Sequence, residues 1–111
     1  MKTHIKKTDI PIETVGEGVT RQIMGYDSDL MLVKVNFKKG GIGYAHKHPH
    51  QQVSYVMEGK FEVEIGGKKQ VLETGDAFVI PSDVMHGAVC LEDGVLIDTF
   101  SPMREDFVGK I

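Results

Sequence analysis

Apolar and polar positions alternate along most of this chain with the period of two that a strand requires, and no window holds a helical period for more than a turn or two. Phe61, Val63 and Ile65 are separated by Glu62 and Glu64, the pattern of an antiparallel strand with one buried face. Gly66-Gly67 follows, a two-residue connection free to take positive φ at both positions, so Lys68–Leu72 is expected to return antiparallel. Leu30 to Phe37 begins as an apolar run and ends in alternation, as for a strand buried on at least one face. The same reading gives strands at Val19–Tyr26, Gln51–Met57, Ala77–Ile80, His86–Leu91 and Val95–Phe100. One short helix is predicted over Pro102–Phe107, with Ser101 as cap and Pro102 in the first helical position. Thr3–Ile12 has a strand-like apolar character. The prediction is therefore all-β: many short strands with glycine-rich turns mean a sandwich or barrel, and a small barrel can hold a ligand in its mouth.

Size and charge narrow the partners. The 111 residues suit one domain, 1–111, with a single core. A net charge of −3 and scattered lysine pairs give no basic stripe for nucleic acid. Cys90 is the sole cysteine, so no intrachain disulfide can form. The first seven residues lack a signal-peptide apolar core, and no stretch approaches the ~20 apolar residues of a membrane span, so a cytoplasmic protein with no membrane partner is expected.

The candidate chemistry begins at His46-Lys47-His48-Pro49-His50-Gln51-Gln52. Two histidines two apart on an extended strand point to one face. Gln52, Ser54 and Val56 share a face beyond the intervening turn, and His86 arrives on a later strand. His46, His48, Gln52 and His86 are candidates for one metal site. His50 is read as solvent-facing or supporting, outside the ligand set.

The spacing of these residues resembles the two motifs of the cupin superfamily. The first runs Gly40, His46-x-His48, Gln52, Gly59 (residues 40–59), and the second Gly75, Pro81, Asp83, His86 (residues 75–90). The resemblance implies a cupin jelly-roll barrel (double-stranded β-helix) with a short C-terminal helical turn. It implies His46, His48, Gln52 and His86 as ligands of one divalent transition metal: Ni, Zn, Fe or Mn. Gln52 stands where those proteins commonly have a carboxylate. All four donors are then neutral, and an ion keeping its full +2 charge favours an anionic substrate. Asp83 stands where glycine is usual and Cys90 where asparagine is usual; aspartate tolerates positive φ, so the first change reads as structural.

On the last strand Asp98 and Phe100 share a parity opposite to Thr99. An inward, unpaired carboxylate is costly as simple packing. Arg104, a short turn later, is placed to close over the barrel mouth, or to fasten the C-terminal segment through an Asp98–Arg104 ion pair. With Val19–Gly25 and the histidine run, this segment is similar to the pectin-degradation family of cupins, which open 4,5-unsaturated uronates to the linear 5-keto-4-deoxyuronate. By that resemblance Asp98, Phe100 and Arg104 are the catalytic residues lining the substrate site. The implied partner is a small anionic sugar acid, and the implied assembly a homodimer. An Fe(II)-dependent cupin dioxygenase and a non-catalytic sugar-acid-binding cupin are the alternatives.

Overall fold

The alternating segments become eight antiparallel strands in the computed structural model, which describes residues 2–109; Met1, Lys110 and Ile111, the ends of the expected 1–111 domain, lie outside the described residues. The strands are β1 (Glu13–Gly16), β2 (Val19–Tyr26), β3 (Met31–Phe37), β4 (Ile42–His46), β5 (Gln51–Ile65), β6 (Lys68–Glu73), β7 (Ala77–Ile80) and β8 (His86–Ser101). They pair in the order β1-β2-β3-β8-β5-β6, with β4 added to β8 and β7 to β5.

The two long strands organise the rest. The first part of β5 pairs with β7 and with the end of β8, while its last part pairs with β6 and the start of β8. β8 likewise meets β4 early and β3 late. Each of these strands was expected as two shorter ones, Gln51–Met57 with Phe61–Ile65 and His86–Leu91 with Val95–Phe100. The apparent gap in β5 is a corner. Register shifts crowd the span between Val56 and Phe61, and Gly59 turns there at φ 91°. A Cβ at Gly59 would stand 2.6 Å from Asp93 O and Gly94 Cα, so glycine lets the two strands pass closely as they bend together.

Met31, Val33, Val35 and Phe37 point inward from β3 and meet Val56, Phe61 and Val63 of β5, Phe78 and Ile80 of β7, and Leu96 and Phe100 of β8. Phe61 is fully buried, edge-on to Phe37 with ring centroids 5.1 Å apart. The Gly66-Gly67 turn has φ of 57° and 85°, which suits the predicted hairpin. Asp83 takes φ 63°, the left-handed conformation its stand-in for glycine requires.

Both ends of the chain depart from expectation. Thr3–Ile12 forms no strand; a 3₁₀ turn at Lys7–Asp9 replaces it, and the Gln22 amide donates to Lys7 O and Ile10 O. The helix is only Glu105–Val108 (α1), with Arg104 at its N-cap position. Ser101 cannot cap a helix from Pro102, because it is the last residue of β8, opposite Gln51. No described helix is long and apolar enough to cross a membrane.

Candidate metal centre

The site forms where β4, the loop after it and the start of β8 converge. His46 ends β4 and lies opposite His86, the first residue of β8. His48 is not on a strand, contrary to the expected shared strand face; it sits in the loop leading to Gln51. That loop is pinned by the turn at Asp83, whose N–H donates to His48 O at 2.8 Å. Ligand atoms of His46, His48 and His86 lie within 4.8 Å of one another, with His48 and His86 buried and His46 exposed.

Each ring is set by the same device. Nδ1 of His46 faces Tyr44 O at 2.8 Å, Nδ1 of His48 faces His50 O at 2.9 Å, and Nδ1 of His86 faces Val84 O at 2.9 Å. A carbonyl only accepts, so each Nδ1 carries a proton and Nε2 is the ring nitrogen left to face a ligand. Burial pulls the pKa of His86 down to about 4 and lowers that of His48, so both rings are neutral at neutral pH.

Gln52 adds a fourth donor by a chain of fixed hydrogen bonds. The Ser54 hydroxyl donates to Asp98 Oδ1 at 2.6 Å, which leaves its oxygen to accept from Gln52 Nε2 at 2.9 Å. The amide is thereby oriented with Oε1 toward His48 Nε2, 3.1 Å away. Two lone pairs face one another there with no proton between them, an arrangement a cation would relieve. Three imidazoles and an amide oxygen fit a divalent first-row ion, and four protein donors leave coordination positions open.

A cavity of about 130 Å³ adjoins this cluster, and its lining includes His46, Gln52, His86, Asp98, Phe100 and Arg104. Of the seven candidate ligand and catalytic residues, only the buried His48 is not part of that lining. Burial pushes the Asp98 carboxyl up to about 6, against the opposing pull of the Ser54 hydrogen bond and the Arg104 charge. Arg104 is buried, 7% exposed, but the Asp98–Arg104 ion pair does not form. The guanidinium binds Asp106 instead, Nε to Oδ1 at 3.0 Å and Nη2 to Oδ2 at 2.8 Å, and lies against the Phe100 and Phe107 rings. An acid two residues away outcompetes one six away because α1 returns it to the same guanidinium.

The cupin domain family matches residues 33–99 of this sequence. The pectin degradation protein KdgF of Dickeya dadantii (strain 3937) is 49% identical over 97% of this chain and all of its own length. Among solved structures, KdgF from a Halomonas species superposes with a TM-score of 0.90 at 43% identity, covering 96% of this chain and 99% of that one. An RmlC-like cupin from Shewanella frigidimarina gives the same TM-score at 50% identity, with 96% of each chain covered. The chain belongs to the KdgF family of cupins.

Within this KdgF-family cupin, the strands are those of the cupin fold that the motif spacing implied. Three features of the site were read from the sequence only in part or not at all. Ser54, between Gln52 and Asp98, had a readable signal: a polar residue on the inward parity of a core strand. His50 is buried, 4% exposed, so of its two expected roles it takes the supporting one, its carbonyl holding the His48 ring. The His50 Nε2 stands 3.4 Å from Glu105 Oε1, and its Nδ1 has no partner. The Asp106 grip on Arg104 left no mark in periodicity or spacing.

Proposed function

We propose that this cupin opens 4,5-unsaturated uronates to the linear 5-keto-4-deoxyuronate, with a divalent transition metal held by His46, His48, Gln52 and His86. The observation that carries the reading is one cavity in which histidine and amide donors, a carboxylate and a buried guanidinium meet. The substrate is a cyclic enol ether bearing a carboxylate and a hemiacetal hydroxyl. Bound at the histidines and Gln52, the ion supplies Lewis acidity toward developing oxygen charge.

The protein's own groups do the rest. Asp98 takes the proton from the hemiacetal hydroxyl. As that oxygen becomes the aldehyde carbonyl, the C1–ring oxygen bond breaks and its electron pair stays on the ring oxygen as an enolate. Asp98 returns the proton to C4, which leaves the C5 ketone, so the step is redox-neutral and needs no co-reactant. Ser54 holds Asp98 in place. Arg104 receives the substrate carboxylate on the Nη1/Nη2 end that Asp106 leaves free, and Phe100 walls the cavity against water.

Metal-loaded protein mixed with an unsaturated uronate should accelerate the loss of enol-ether absorbance without consuming oxygen. No acceleration with Ni, Zn, Fe or Mn would overturn the assignment, and oxygen uptake would favour the dioxygenase reading. Arg104→Ala should raise KM about 10–100-fold, the worth of a charge-assisted hydrogen bond, with kcat less affected. Arg104→Lys should do nearly as badly despite keeping the charge, because an ammonium cannot serve Asp106 and a substrate on two edges. Unchanged KM in both variants would remove Arg104 from the substrate site.

The same reading makes the protein a homodimer. Leu32, Val53, Tyr55 and Val79 are exposed on the outer face of β3, β5 and β7, and Val53 is paired with Val79 and Thr99 across neighbouring strands. A contiguous apolar sheet face of this kind suits a second copy. Val53→Glu should yield a monomer by light scattering at micromolar concentration; a monomeric wild type would end the proposal.

A further inference from the structure

We infer that Asp106 is a positioning residue that keeps Arg104 off Asp98, so that one stays available to the substrate carboxylate and the other to its proton. The inference rests on the roles proposed above for Arg104 and Asp98. Both side chains line the same cavity, and they carry opposite charges. Left alone in one cavity, a guanidinium and a carboxylate would pair, and the pair would disable both groups at once.

Three contacts bear on the guanidinium, and they do different things. The Phe100 and Phe107 rings stand nearly perpendicular, at 84°, with the Arg104 Cζ 5.0 Å and 4.1 Å from their centroids. They attract the cation but are indifferent to which nitrogen points where. Direction comes from Asp106, which occupies the whole Nε/Nη2 edge. Those hydrogen bonds also hold the Asp106 carboxyl below its ordinary range, so it remains an anion. Of the five N–H donors, the three on the Nη1/Nη2 end meet no protein acceptor among the described residues. No nitrogen of Arg104 is both buried and unpartnered, so that end keeps access to the space it borders.

The carrier of Asp106 is itself fixed. The Phe107 N–H donates to Arg104 O at 3.0 Å, closing the first turn of α1. Glu105 reaches the buried His50 ring, in the loop whose carbonyl holds His48. The segment that aims Arg104 is thus tied to the loop that aims a candidate metal ligand.

The test is a kinetic cycle over wild type, Asp106→Ala, Arg104→Ala and the double variant, at matched metal content. Asp106→Ala should raise KM and also lower kcat about tenfold or more, because the released arginine captures the proton carrier. Arg104→Ala should raise KM with kcat less affected. In the double variant kcat should recover to within about threefold of Arg104→Ala, a coupling of opposite sign to two additive losses. Asp106→Glu, which keeps a carboxylate for the guanidinium, should restore part of kcat. An unrelieved kcat loss in the double variant overturns the inference, as does a fall in KM for Asp106→Asn, the mark of simple charge screening. If Arg104→Ala leaves KM untouched, it is the proposed function that fails.

Discussion

Asp98→Asn removes most of the turnover, about 10²–10⁴-fold for the loss of a positioned proton carrier, and leaves metal content unchanged. The substitution is close to isosteric. The asparagine oxygen can still accept from Ser54, so the Ser54–Gln52 chain keeps its sense and Oε1 of Gln52 still faces His48. What disappears is the ability to take a proton from one oxygen and release it to carbon. A neutral side chain also spares the fold the cost of a partly buried carboxylate, so the variant should melt no lower than wild type. Enol-ether absorbance measures the first part, elemental analysis the second and scanning calorimetry the third. Near-normal turnover at full metal occupancy would show that the carboxylate carries no proton. A loss of metal alongside turnover would mean instead that Asp98 acts through Gln52.

The sequence made the donors legible because side-chain chemistry and spacing are both local. His46, His48, Gln52 and His86 could be named as candidates together, and the inward parity of Asp98 and Phe100 follows from the period of a strand. Asp83 at φ 63° was foreseeable because it stands where the motif usually has glycine and aspartate tolerates positive φ. Continuity was not. Gly59 and Gly94 look like strand ends, yet a Cβ on Gly94 would stand 2.6 Å from Glu58 O and 2.7 Å from the Phe61 ring, so they mark where two continuous strands bend past each other. The partner of Arg104 was also hidden. Asp98 and Asp106 are equally acidic in sequence, and only the turn at α1 decides which reaches the guanidinium. His50 was left between solvent and a supporting role for a related reason: a proline-turn residue cannot be placed until the C-terminal segment is laid over it.

Adding Ni, Zn, Fe or Mn ions to the metal-free protein should raise its melting temperature by about 10 °C or more at an ion concentration a hundredfold above Kd. That excess contributes about 2.7 kcal/mol to the folded state, and each kcal/mol moves a domain of roughly 100 residues by about 4–8 °C. The physical basis is the facing pair of acceptors, Gln52 Oε1 and His48 Nε2, 3.1 Å apart with their protons fixed elsewhere. A bound cation would relieve that repulsion by accepting both lone pairs. His86→Ala should abolish most of the shift, since a buried imidazole of the cluster is gone. Gln52→Ala keeps three imidazoles and should show a smaller shift and lower occupancy by elemental analysis; unchanged occupancy would remove the amide from the ligand set. Gln52→Glu should bind the ion more tightly than wild type, because a carboxylate offsets part of its charge. Yet it should turn over more slowly, since a second anion then crowds Asp98 across Ser54. A shift of equal size in wild type and His86→Ala would place the ion elsewhere and dissolve the metal centre as drawn.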